Sequence, residues 1–126
     1  MMNNLRIPSL ILIITILISC NLKKNGILSK IKNSSNDTIF NIIFLSDENT
    51  KVEFSKIKPN QTVEKFLDMT NNHKGDGAYN LKFERENGKK EKIIFGYYTN
   101  GGALNKEVFC EIKNDTVLIK FNSIKH

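Results

Sequence analysis

The sequence predicts an all-β domain, built as a two-sheet sandwich of about eight antiparallel strands behind an N-terminal signal helix. Three observations carry that expectation. From residue 27 onward the apolar side chains recur mostly with period two, the signature of half-buried strands. Turn signals rich in Asn, Gly, Ser and Pro separate these runs every eight to twelve residues or so. The chain of 126 residues leaves, after its apolar leader, roughly 100 residues, enough for one modest core.

Each strand has its own justification. Ile27, Ser29 and Ile31 alternate with Leu28, Lys30 and Lys32, and the polar run 34–37 then turns the chain. Residues 38–45 are apolar on both faces, as a central strand requires. Residues 51–57 place Val52 and Phe54 on one face, and Pro59 sets φ for the turn at 58–61. Residues 62–69 bring Val63, Leu67 and Met69 together as a strand, with a single helical turn as the alternative. Tyr79, Leu81 and Phe83 alternate with Asn80, Lys82 and Glu84, and Asn87-Gly88 supplies a two-residue turn. The return strand 92–98 points Ile93, Phe95 and Tyr97 inward and Ile94 and Tyr98 outward. A last hairpin, 106–113 and 116–122, turns at Asn114-Asp115 with Val117, Ile119 and Phe121 facing in. This spacing suggests an immunoglobulin-like sandwich, with a small β-barrel as the alternative. The Cys–Trp–Cys signature of antibody domains is missing.

The leader sets the location. Arg6 is a short positive n-region, and residues 7–18 are almost wholly apolar. Twelve helical residues rise about 18 Å, too short for a hydrocarbon core of about 30 Å, so this is a signal-peptide h-region. It ends in Leu17-Ile18-Ser19-Cys20, which resembles the lipobox of bacterial lipoproteins: Leu, a tolerant position, a small residue, then Cys. That resemblance implies a diacylglyceryl thioether on Cys20, cleavage between Ser19 and Cys20, and acylation of the new amine, a palmitate-like membrane anchor. The organisation that follows is a signal peptide at 1–19, a lipidated tether at 20–26 and a β-sandwich at 27–126. The expected location is the cell membrane or outer membrane, lipid-anchored and facing periplasm or exterior. Asn21, rather than Asp, follows the cysteine, which by resemblance leans toward an outer membrane where one exists.

The formal net charge of +6 falls to +5 without Arg6, and the lysines mostly alternate with Glu. Lys23, Lys24, Lys30 and Lys32 follow the lipobox closely. They serve either as a solvated linker or as an attraction to anionic head groups worth about 1 kcal/mol each. No basic motif with interleaved aromatics supports nucleic-acid binding. Asn-x-Ser/Thr tripeptides at Asn33, Asn36, Asn60 and Asn114 read as turns.

Candidate sites are few. In a strand order where two Gly-rich loops, 71–77 and 96–102, share one end, they form a candidate binding loop with Asp76, Tyr97, Tyr98 and Asn100; Tyr98 would stack on a glycan or peptide there. Calcium needs six to eight oxygens and commonly several carboxylates, and Asp76 is the lone acid, so no metal is expected. Ile94, Phe109 and Leu118 on outward faces would form one stripe, a candidate interaction face for an envelope protein, if the last three strands are neighbours. Cys110, between Val108 and Ile112, reads as a core thiol. Catalysis needs a nucleophile with a base or paired carboxylates. Glu84 and Glu86 interleave with Lys82 and Arg85, and neither His73 nor His126 has a visible partner, so no enzyme and no cofactor beyond the lipid are expected. The function expected is a non-catalytic binding or structural module of the cell envelope. The alternative is a small inhibitor or immunity-type lipoprotein that blocks an envelope enzyme.

Overall fold

The computed structural model describes residues 25–123. The signal helix, Ser19 and Cys20 lie outside the described residues. The described chain is all-β, with no helix, in the order β1 Gly26–Asn33, β2 Ile39–Asp47, β3 Thr50–Ile57, β4 Thr62–Asp68, β5 Gly77–Glu84, β6 Lys90–Thr99, β7 Gly102–Ala103, β8 Asn105–Ile112 and β9 Val117–Ser123. Residues 62–68 are extended, so the strand reading holds there over the helical turn.

Two sheets form a sandwich-like pair. One has four strands in the order β4-β1-β8-β9 and the other has five in the order β3-β2-β5-β6-β7. The pairings are antiparallel with one exception: β1 runs parallel to β8, with Lys30 opposite Phe109. An all-antiparallel expectation misses this because a parallel partner needs a long crossover. Here the crossover is the whole of β2–β7.

The core lies between the sheets and follows the period-two pattern. Ile27 and Ile31 of β1 and Val108, Cys110 and Ile112 of β8 meet Ile42 and Phe44 of β2 and Tyr79, Leu81 and Phe83 of β5, all buried. Phe44, Tyr79, Phe95 and Phe121 stack or tilt against one another with ring centroids 5.4–6.2 Å apart. Rings at such spacing gain attraction beyond the area they bury. Burial pushes the Cys110 thiol up to about 12, which keeps it protonated inside the core.

Both ends of the sandwich are tied by polar side chains. At the end holding the β1–β2 and β8–β9 connections, the buried Asn33 amide donates to the carbonyls of Asp37 and Ile57, both at 2.8 Å. Its oxygen accepts from the Ser35 N–H and hydroxyl. Asn36 N–H reaches Asn114 Oδ1 across the same end, and Asn60 turns with φ 67°. Asn33, Asn36, Asn60 and Asn114 thus act as turn residues. The β5–β6 connection corrects the two-residue expectation. Arg85 N–H donates to Lys89 O and Gly88 N–H to Arg85 O, so three residues turn the chain, with Gly88 at φ 87°.

Candidate functional site

The opposite end carries the start of β1, the β2–β3 hairpin, the long loop before β5 and the β6–β7 turn. The two Gly-rich loops do meet there: Gly101 N–H donates to Gly75 O at 2.9 Å. Their side chains are arranged differently from the expectation, and the cause is Gly96.

Gly96 sits inside β6 with φ 73°, a left-handed conformation that glycine adopts without a Cβ clash. The register slips at this point. Tyr79 pairs with Phe95, but Gly77 pairs with Tyr98, so β6 carries an extra residue. This is a β-bulge, which turns the alternation over beyond it. Strict alternation puts Tyr97 inside and Tyr98 outside. The bulge reverses them, leaving Tyr97 52% exposed and Tyr98 only 1% exposed. Tyr98 therefore offers no face for stacking on a glycan or peptide.

The buried Tyr98 organises this end. Its ring packs on Tyr79 at 5.6 Å, and its hydroxyl donates to the Ser46 carbonyl at 2.9 Å. His73 Nε2 lies 2.6 Å from the same hydroxyl, while the Gly75 N–H reaches His73 Nδ1 at 3.2 Å. With Nδ1 accepting, the neutral imidazole carries its proton on Nε2 and donates to Tyr98. The chain of donors thus runs from Gly75 through His73 and Tyr98 to Ser46, and every partner is internal. His73 N–H also donates to Asp47 Oδ2 at 3.1 Å, and that bond is the main reason the Asp47 carboxyl lies below its ordinary range.

Asp76 is committed in the same way. One oxygen accepts from the Tyr97 hydroxyl at 2.8 Å and the other from the Asn100 N–H at 3.1 Å. The Tyr97 bond, then the Asn100 bond, hold the Asp76 carboxyl below its ordinary range, and Asp76 in turn raises Tyr97. Asn100 has φ 52°, a region Asn tolerates better than most residues. Asn25 closes the cluster by donating to Met69 O and Gly101 O, with its oxygen near the Ala103 N–H. No group of three or more His, Cys, Asp or Glu side chains suited to a metal ion occurs among the described residues.

The structure brings Asp76, Tyr97, Tyr98 and Asn100 together at one end. It converts them from an open ligand surface into a clasp. Sequence reasoning missed the roles of Asn25, Ser46 and His73; the glycine inside a strand at 96 signals the bulge that turns Tyr98 inward toward Ser46 and His73.

The second candidate, a stripe of Ile94, Phe109 and Leu118, is divided. Ile94 lies on β6 of the five-stranded sheet, whereas Phe109 and Leu118 lie on β8 and β9 of the other. Phe109 and Leu118 share the outer face of the four-stranded sheet. Phe66 shares it too, its ring so close over Gly26 that a Cβ there would come within 2.6 Å.

No protein family and no curated protein matches the chain. A similar solved structure is the NMR structure of a protein from Eubacterium rectale, with a TM-score of 0.56 over 81% of this chain and 93% of that one. The two are 13% identical, so the likeness is one of fold.

Proposed function

We propose that this chain is a lipid-anchored, non-catalytic binding module of a bacterial cell envelope. It would be held to the membrane through Cys20, facing periplasm or exterior. The observation that carries the reading is the lipobox-like Leu17-Ile18-Ser19-Cys20 standing five residues ahead of Asn25, the residue whose amide ties the first strand to its neighbours. Five residues span at most about 18 Å, so a lipid on Cys20 keeps the sandwich close to the bilayer. The hairpin units β2–β3, β5–β6–β7 and β8–β9, separated by crossings between sheets, support an immunoglobulin-like form. The insertion of β1 beside β8 sets it apart from the seven-strand arrangement. The partner surface in this reading is the outer face bearing Phe66, Phe109 and Leu118, since the loop cluster spends its polar groups on itself.

The test is direct. Mass analysis of the mature N-terminus should find Cys20 first and carrying acyl chains, and Cys20→Ser should abolish processing and membrane fractionation. An unacylated N-terminus in the native protein, or unchanged fractionation of the serine variant, would refute the anchor.

A further inference from the structure

The outer face of the β3-β2-β5-β6 sheet carries a charge pattern that only the folded register displays. Cross-strand partners share a face. One row runs Glu53, Ile43, Lys82, Lys92; the next runs Lys51, Leu45, Asn80, Ile94; a third joins Lys56, Phe40, Glu84 and Lys90. Five lysines thus stand among two glutamates. Lys51 pairs with Glu53 at 3.4 Å and Lys90 with Glu84 at 3.6 Å. Lys56, Lys82 and Lys92 have no carboxylate partner within ion-pair distance among the described residues. Lys82 and Lys92 lie directly opposite each other in the register, an arrangement that disfavours the sheet unless a counter-charge relieves it. Amid these lysines Ile94 is 65% exposed. The other sheet's outer face is balanced, with Lys30, Lys32 and Lys120 standing among Glu64, Asp68, Glu107 and Glu111.

We propose that the lysine-rich face is a docking surface for an anionic phospholipid bilayer, on which the anchored domain lies flat. This rests on the lipid anchor proposed above. The tether agrees with the bilayer as occupant. The chain enters β1 in the four-stranded sheet, so it must pass the thickness of the sandwich, about 10 Å, and a side-chain layer of about 5 Å to reach a membrane on the lysine-rich face. A tether of at most about 18 Å spans that distance. Lysines at an anionic surface and an apolar side chain at the head-group boundary are the two elements of interfacial binding. The face bearing Phe66, Phe109 and Leu118 is turned outward to meet a partner.

The chain contains no Trp, so one introduced indole reports alone. The lipidated full chain carrying Ile94→Trp is placed in vesicles of phosphatidylcholine, with or without phosphatidylglycerol, whose acyl chains are brominated near the head group. Quenching is expected to be several-fold stronger with phosphatidylglycerol and to disappear near 0.5 M salt, where the screening length falls to roughly 4 Å. Lys82→Ser with Lys92→Ser should lower the ratio of flat to upright molecules about thirtyfold and return quenching to the phosphatidylcholine level. Leu118→Trp, on the other sheet, should stay unquenched throughout. Equal quenching of Ile94→Trp in both vesicle types, or equal quenching of both indoles, overturns the proposal. So does an emission change given by a soluble polyanion such as heparin but not by the bilayer, which would assign the face to an anionic polymer. Co-flotation with phosphatidylcholine vesicles reads the anchor separately: protein that floats without a lipid-dependent Ile94→Trp signal retains the anchor and loses the docking face.

Discussion

Strand β6 begins just after one left-handed glycine and is broken by another, and the two serve opposite purposes. Gly88, at φ 87°, closes the turn from β5, and a Cβ added there meets nothing within 4 Å. Gly96, at φ 73°, lies inside the strand, where a Cβ would come within 2.5 Å of the Phe121 ring and 3.1 Å of Tyr79. The first ends a ladder in solvent. The second keeps the ladder going while turning its face over, which brings Tyr98 into the core and puts Tyr97 over Asp76. A glycine in a turn costs the fold little and decides little. A glycine in a packed strand sets which side chains the next residues bury.

The sharpest way to break that contrast is Gly96→Ala. The left-handed backbone penalty, about 1–2 kcal/mol, adds to overpacking against Phe121, about 1–3 kcal/mol, for a loss of about 3 kcal/mol. In a domain of this size that lowers the midpoint of thermal unfolding by roughly 15 °C, as calorimetry would read. A loss below about 1 kcal/mol would mean that the bulge moves elsewhere along β6 and that Gly96 does not set the face.

Tyr98→Phe isolates what the inverted residue gains from its hydroxyl. The ring still fills its place against Tyr79, but the buried Ser46 carbonyl loses its donor and His73 loses its acceptor. Leaving a buried carbonyl unpaired costs about 1–3 kcal/mol, so denaturant unfolding should shift by about 1.5 kcal/mol. The slope of the denaturation curve should stay unchanged, because the surface exposed on unfolding is nearly the same. His73→Ala should cost less, since the imidazole is exposed and water can replace it at the hydroxyl.

Much of the strand map was legible because alternation is a local property. The expected strand 79–84 and its buried Tyr79, Leu81 and Phe83 recur in β5, and the same holds for Ile27 and Ile31 and for Val117, Ile119 and Phe121. Three things were not legible, and each is non-local. The partner of β1 is set by packing across most of the chain, so its parallel run beside β8 leaves no mark in either segment. The strands of Ile94 and Phe109 follow one another with only the two-residue β7 between them yet belong to different sheets, so a stripe drawn from sequence proximity dissolves. The lysines of β3, β5 and β6 alternate mostly with apolar residues along the chain, as on the wet face of any strand. Only the register stacks Lys82 on Lys92 and gathers them on one side. Of the candidate loop, the two Gly-rich segments were legible but their meeting hung on strand order, and the internal wiring was not legible because one bulge at Gly96 exchanges the roles of two adjacent tyrosines.

Gly88→Ala tests the other arm of the comparison. With open space around the position, only the left-handed backbone resists, at about 1 kcal/mol. Gly88→Asn should cost a few tenths of a kcal/mol, since Asn tolerates that conformation. A loss as large as that of Gly96→Ala would show that the turn, too, is held by packing.

The smallest effect concerns the exposed residue that the bulge expels. Tyr97 is the first cause of the lowered Asp76 pKa, with the Asn100 N–H second. A folded-state pKa below the ordinary value of 3.8 means that the carboxylate favours the fold above that pH, and that the contribution is lost as acid protonates Asp76 through its folded pKa. Carboxyl-carbon NMR should therefore show Asp76 titrating below 3.8 in the native protein. In Tyr97→Phe it should move part of the way back, the Asn100 bond remaining. Asp47, held chiefly by the His73 N–H, is the control at the same end and should titrate as before. Unfolding midpoints near neutral pH should barely differ between the two proteins, because a solvent-exposed clasp competes with water for each of its hydrogen bonds. Should Asp47 move together with Asp76, the two loops would shift as one body when the Tyr97 bond is cut, and the exposed tyrosine would matter to this end as much as the buried one.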